Sequence, residues 1–349
     1  MMGEDEWKEA KFYGDNMDVH VKTEYLDYVE QALSEADVDY EVMIDDLGAL
    51  IEEQMATVGT EYAGLDDFNY ENYHTWEVYQ QWQDDFVAAN SDIASKTKYG
   101  ESYEKRELNY MKIGKGERKI VLHGGTHSRE WISPITMINF AKDLVAKWRE
   151  GGEDAQYLDD LTWYIHINMN PDGYVYTHGP DRMWRKTRNP ETPGVCDGVD
   201  PNRNWDANWS GPGASNQPCS QTYYGTSVFS ESECKAAADA LMDVVPHAYA
   251  DVHAYSQYWM FPYGYKSGKV ESYDKLMAMS KEIVDAIASV HRTRFVYGPI
   301  NEVSLTMQLI VWTFMFFIRS FTSHRDRQLI TLMIQSALYA HMRLNYAIR

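Results

Sequence analysis

The sequence predicts an α/β protein, with a mixed central sheet flanked by helices, preceded by a short, partial α+β segment. Three observations carry this expectation. At 349 residues the chain exceeds one average domain and can hold a large core plus a small second module. After about residue 65, strand-like runs alternate with helical stretches, the pattern of a sheet covered by helices. Before that point a strand, a helix, a strand and a helix are packed into residues 17–55.

The elements follow in order. Met17 to Val21 alternates like a strand, and Tyr25 to Glu35 places Leu26, Val29 and Leu33 on one helical face. Tyr40 to Ile44 returns to strand, and Asp45 to Met55 reads as a second helix. Ala56 to Gly64 is a linker, so the expected boundaries are 1–64 and 65–349. From Thr23 to Ser95 there is no Lys or Arg, which leaves a trypsin-like protease no cut site at that junction. In the second part, strands are expected at Glu107 to Ile113, Arg118 to His123, Leu161 to Met169 and Ala248 to Ala254. Helices are expected at Thr75 to Ala89, Ile135 to Arg149, Ser230 to Val244 and Ser272 to Val290. In such a sheet the chemistry sits at strand ends.

Composition narrows the partners. A net charge of -21 argues against nucleic acid and against an acidic membrane surface, both polyanions, and reads as solubility. Met1 to Glu6 is acidic and lacks an apolar core, so no secretory signal is read there. Three cysteines do not make a disulfide-dense scaffold. Cys234 falls in the helical pattern Ser230 to Ala237 and is expected to be a buried thiol. Asn208-Trp209-Ser210 matches a glycosylation sequon.

One run carries chemistry. Leu122-His123-Gly124-Gly125-Thr126-His127-Ser128-Arg129-Glu130-Trp131 ends a strand at two glycines and then sets His127 and Glu130 three apart. On a turn or helix start, two such side chains can point the same way. An imidazole nitrogen and a carboxylate oxygen are zinc ligands, and His253, at the end of another strand-like run, supplies a third. Two His and one Glu leave a coordination position open, as in catalytic rather than structural zinc sites. By itself the His-x-x-Glu spacing is common on solvated helix surfaces.

Four further motifs follow in order: Asn170-Pro171-Asp172-Gly173-Tyr174, Arg182-Met183-Trp184-Arg185-Lys186-Thr187-Arg188, Gly198-Val199-Asp200-Pro201-Asn202-Arg203-Asn204-Trp205-Asp206 and His253-Ala254-Tyr255-Ser256-Gln257. With them, from about Asp67 to about Ile300, the sequence resembles the zinc metallocarboxypeptidases of the carboxypeptidase A/B type. The resemblance implies one zinc on His127, Glu130 and His253. It implies that Arg203 with Asn202 holds a terminal carboxylate, for which a planar guanidinium fork is suited. Arg185 would polarise the scissile carbonyl, Arg129 and Arg182 would be accessory substrate arginines, and Tyr255 would wall the cleft. Lys186 and Arg188 are expected to face solvent. A disulfide between Cys196 and Cys219 is also implied; closing such a loop stabilises by roughly 3 kcal/mol in the chain-entropy model. Residues 1–64 resemble the second half of a ferredoxin-like activation segment, with the first strand and helix missing, and the expected location is extracellular. The expected partners are peptide or protein C-termini, met by a monomer, with neither nucleic acid nor membrane involved.

The resemblance stops at about residue 300. The family places its general-base Glu on a strand of the type Tyr-Ser-Phe-Thr-Phe-Glu-Leu-Arg-Asp. Here Arg319-Ser320-Phe321-Thr322-Ser323-His324-Arg325-Asp326 is the nearest counterpart, one residue short, with His324 or Ser323 where the carboxylate should be. Residues 301–349 carry five arginines against two acids, Glu302 and Asp326, in an otherwise acidic chain. Val303 to Ile318 is largely apolar but shorter than the ~20 residues of a membrane span, and is expected to be a buried strand or an aberrant end. A pocket floor near Ile310 would favour apolar C-terminal residues. The function expected is a zinc-dependent carboxypeptidase that releases C-terminal amino acids. The alternative is a catalytically impaired homologue that binds zinc and C-terminal peptides because the general-base Glu is missing.

Overall fold

The computed structural model describes residues 5–8, 18–190, 194–255, 257–306 and 312–318. The chain divides into two compact units, one built from residues up to Glu53 and one beginning at Gln54.

In the first unit, β1 (Asp5–Lys8) pairs antiparallel with β2 (Asp18–His20), and α1 (Leu26–Glu35) follows a short 3-10 turn. The next helix, α2 (Leu47–Ala56), whose last three residues belong to the second unit, starts where the Asp46 carboxylate accepts from the Ala49 N–H, satisfying one of the free donors of the first turn. Strand β1 was not expected from the sequence, whereas the expected strand Tyr40 to Ile44 does not form. Tyr40, Val42, Met43 and Ile44 are exposed there, and an alternating run without a neighbouring strand has no ladder to join.

The second unit is an eight-stranded mixed sheet flanked by helices, as expected. Its strands are β3 (Ala94–Glu101), β4 (Glu107–Gly114), β5 (Arg118–His123), β6 (Leu161–His166), β7 (Ala248–Val252), β8 (Gln257–Phe261), β9 (Val296–Pro299) and β10 (Trp312–Ile318), in the spatial order β3-β4-β6-β5-β7-β10-β8-β9. At its centre β5 runs parallel to both β6 and β7, and β10 pairs antiparallel with β7. Central parallel strands covered on both faces are apolar throughout. Accordingly, every residue of β6 is buried, and Ile120, Val121 and Leu122 of β5 are almost fully buried.

The helices are α3 (Trp76–Ala89), α4 (Ile132–Glu150), α5 (Gln156–Asp159), α6 (Pro171–Thr177), α7 (Ser232–Val244), α8 (Tyr273–His291) and α9 (Ile300–Thr306). The core between sheet and helices gathers Trp82, Phe86, Trp131, Phe140, Trp163, Trp259 and Phe261 with the aliphatic residues of α4 and α8. The region Val303 to Ile318, expected as a buried strand or an aberrant end, contributes the end of α9 and strand β10. No helix among the described residues is long and apolar enough to cross a membrane. Residues 307–311, with Ile310, and 319–349, with His324, lie outside the described residues.

Candidate metal centre and carboxylate cleft

Two parallel strand ends build the centre. β5 stops at His123, and the chain turns through Gly124 and Gly125 before reaching His127. Both glycines are required. A Cβ on Gly124 would meet the Ile167 carbonyl oxygen at 2.7 Å, and Gly125 has φ +68 with Asn168 Oδ1 2.4 Å from its Cβ position. Ser133, near the start of α4, locks this turn to the neighbouring strand. Its hydroxyl accepts from Gly125 N (2.8 Å) and donates to the Val252 carbonyl at the end of β7 (2.6 Å). His253 is the next residue, so this serine adds a link between two ligand-bearing ends that the β5–β7 pairing already sets side by side.

The three expected ligands meet. His127, Glu130 and His253 are buried, with one ligand atom from each lying within 4.8 Å of the others. Glu130 Oε1 is 2.7 Å from His127 Nδ1, and its Oε2 is 3.0 Å from His253 Nδ1. The two Nδ1 atoms are 3.1 Å apart. Two ring nitrogens facing one another and one carboxylate are a donor set that a shared cation satisfies, with N and O ligands suited to zinc. The outer contacts suit metal binding: each Nε2 points outward at another carboxylate, His127 at Asp200 Oδ1 (3.1 Å) and His253 at Asp251 Oδ2 (2.9 Å). An Nε2–H that donates to a carboxylate leaves Nδ1 with its lone pair inward. The field inside is negative. Burial lowers the His253 pKa, but Asp251 and Glu130 outweigh it and raise it to about 10. Burial opposes the charge on Glu130 too, yet the two histidines hold it below the usual carboxylate range.

Arg185 stands beside this group. Its Nη2 donates to Asp200 Oδ2 (2.9 Å), and its Nη1 lies 3.2 Å from His127 Nδ1 and 3.7 Å from Glu130 Oε1. Asp200 is thus shared between a ligand histidine and Arg185, and it also accepts from the Asn202 N–H (2.8 Å), capping the 3-10 turn Pro201–Arg203. That cap presents Asn202 and Arg203 in sequence. The Arg203 guanidinium donates to the carbonyls of Gly213 (2.8 Å) and Asn202 (3.1 Å). Tyr255 is partly exposed just after His253.

The other arginines separate. The guanidinium of Arg182 lies 3.7 Å from the Trp131 ring centroid and donates to the Arg129 carbonyl (2.9 Å) and Gln54 Oε1 (2.7 Å); burial pushes its pKa down to about 10. Arg129 donates to the Met183 carbonyl at 3.2 Å. Lys186 and Arg188, expected in solvent, are not there. Lys186 is buried, donates to the Pro218 carbonyl (2.6 Å) and has its pKa pushed down to about 8 by burial. Arg188 stacks on Tyr176 and Trp184, at 3.7 and 4.4 Å from their ring centroids.

Cys196 and Cys219 form the expected disulfide, and Cys234 is the expected buried thiol. Two further buried carboxylates back the centre, Asp200 behind His127 and Asp251 behind His253. Asp200 lies inside the Gly198–Asp206 motif, where the sequence does not mark it out from its polar neighbours. Asp251 lies two residues before His253, and a spacing of two puts strand residues on one face.

A model of the zinc carboxypeptidase family matches residues 79–314, and one of the carboxypeptidase activation peptide matches residues 4–54. Carboxypeptidase A1 of Homo sapiens is 38% identical over 322 residues, covering 89% of this chain and 76% of that protein. Carboxypeptidase B of Rattus norvegicus is 37% identical over 288 residues, covering 81% of this chain and 68% of that protein. The crystal structure of thrombin activatable fibrinolysis inhibitor superposes with a TM-score of 0.77 at 27% identity, covering 95% of this chain and 87% of that one. These likenesses do not favour the impaired alternative over the hydrolase. Fold, ligand cluster and sequence likeness converge: the chain belongs to the zinc carboxypeptidases, metal-dependent peptide hydrolases acting at C-termini, and carries an activation peptide ahead of the enzyme.

Proposed function

We propose that Arg203 and Asn202 select the free carboxylate of a peptide, that Arg185 polarises its last peptide bond, and that His127, Glu130 and His253 hold the zinc. The observation that carries this assignment is the sharing of Asp200. One buried carboxylate orients His127, pairs with Arg185 and caps the turn that presents Asn202 and Arg203. Metal ligand, carbonyl electrophile and carboxylate clamp are thereby set in one frame, and a substrate fixed at one end is aligned at the other. Zinc in such a centre supplies Lewis acidity and lowers the pKa of a coordinated water. Arg185 adds a fixed positive charge where oxyanion charge develops. Arg203 offers a planar fork that matches a carboxylate in bidentate fashion. Arg129 and Arg182 line the approach, and Tyr255 walls it.

Residues 1–64 form the activation segment with its linker and 65–349 the enzyme. The protein works as an extracellular monomer on peptide and protein C-termini, with no nucleic acid or membrane partner. The acidic charge supports this, and so does the Cys196–Cys219 disulfide, a bond of oxidising compartments.

The test uses matched peptides that end in a free acid or an amide, with apolar and basic last residues, on chain freed of residues before about Leu65. Free acids should bind and be trimmed, whereas amides should bind at least about tenfold more weakly, the loss of a charge-assisted bidentate contact. Equal affinity for the two would refute the clamp.

A further inference from the structure

Both ligand histidines are backed by a buried carboxylate, and the second pair has a support of its own. Asp251, the penultimate residue of β7, lies on the same side of the strand end as His253, with Oδ2 2.9 Å from His253 Nε2. It is 4% exposed, so its charge is not shared with water. Thr126 Oγ1 lies 3.1 Å from each of the two carboxylate oxygens. Thr126 immediately precedes His127. The residue next to one ligand therefore holds the carboxylate that faces the other, tying the loop after β5 to the end of β7 across the centre.

We propose that Asp251, braced by Thr126, is a positioning residue for the zinc centre: it fixes the Nε2–H tautomer of His253 and aims Nδ1 inward. This rests on the zinc reading of His127, Glu130 and His253. A carboxylate behind a ligand imidazole does two things. It removes the rotational freedom of the ring, and it makes the inward nitrogen more basic. With Asp200 behind His127, this centre has the device on both histidines, and two buried carboxylates besides Glu130 strengthen its hold on a cation.

The experiment measures zinc affinity of the full chain by competition with a chelator, for wild type, Asp251→Asn and Thr126→Val. The asparagine can keep a carbonyl oxygen toward Nε2 while losing the charge, so it separates charge from shape. Zinc binding should weaken by about 10-fold or more in Asp251→Asn, the scale of lost outer-sphere partners, and by a smaller factor in Thr126→Val. In zinc-loaded wild type the His253 Nε2–H should give an exchange-protected downfield imidazole proton, assigned by its loss in His253→Gln. It should move upfield in Asp251→Asn, a change that a merely structural role would not produce. Thermal unfolding of the metal-free variants checks that they fold; if Asp251→Asn does not, Thr126→Val, which leaves the carboxylate in place, carries the test. Zinc affinity within about twofold of wild type in the folded variants would overturn the inference while leaving the centre intact. A wild-type chain that takes up no zinc would overturn the centre, and the inference with it.

Discussion

The metal centre and the turn that carries Asn202 and Arg203, proposed above as the carboxylate clamp, are built on different parts of the fold. The ligands follow the ends of β5 and β7, central parallel strands, and every polar atom of the three faces a partner inside the protein. The proposed clamp sits on a 3-10 turn in the long loop region between α6 and α7, and its arginine donates to two backbone carbonyls. Rigidity is thus spent on the metal, where an error of an ångström misplaces the reacting atoms. The proposed clamp, held by one capped turn and two backbone carbonyls, has a lighter frame. Asp200 is the joint between the two.

The largest expected effect falls at Arg185, which pairs with that joint. Arg185→Ala should lower kcat by about 10²–10³-fold, the range for removing one donor to a developing oxyanion, with a smaller change in KM. It should also leave zinc content unchanged, since Arg185 is not a ligand. Loss of zinc together with activity would show that Arg185 supports the metal centre itself.

Acid should test the rigid side. His123 and His166, at the ends of β5 and β6, are buried with ring centroids 4.1 Å apart. Burial lowers the pKa of both, to about 4 for His123. The unfolded chain, with histidines near ~6.5, binds more protons below that pH. Stability from keeping His123 neutral is therefore complete above about pH 6.5 and is lost as pH falls toward 4, about 3 kcal/mol in all. Urea unfolding of metal-free chain between pH 7.5 and 4.5 should show the loss, and His123→Gln should flatten it. An identical slope in the variant would exclude the pair as the cause.

A smaller effect should follow at Ser133. Replacing it by Ala leaves the Gly125 N–H and the Val252 carbonyl without the hydroxyl they share. About 1–3 kcal/mol of stability should go, the cost of unpaired buried groups. Zinc affinity should drop with it, because the two ligand-bearing ends are no longer held together. Unchanged affinity would mean that the spacing of the ends is set elsewhere.

What the sequence shows and hides follows the same division. The ligands were legible because a buried strand, a glycine turn and a His-x-x-Glu run are local signals. The strands β5 and β7 begin where expected, and β5 also ends there. Other elements are decided by neighbours the sequence does not display. β3 carries Lys96, Lys98 and Glu101 on an outer strand, where charge guards an exposed edge and blurs the alternation. β9 contains Gly298 and Pro299, residue types that favour turns, yet it pairs with β8. Tyr40 to Ile44 has the alternation but forms no strand. Arg188 looked solvated because Tyr176, whose ring it covers, is twelve positions away in sequence. Asp251 was open to discovery as a carboxylate two places before a ligand on the same strand face.

Metal content tests the account most directly. Purified wild-type chain, dialysed against trace zinc, should hold about one zinc by elemental analysis, as an open site of two histidines and one glutamate requires. His127→Ala should lose it while keeping the Cys196–Cys219 disulfide and its fold by circular dichroism. A His127→Ala chain that retains a full equivalent of zinc would contradict the assignment of the centre.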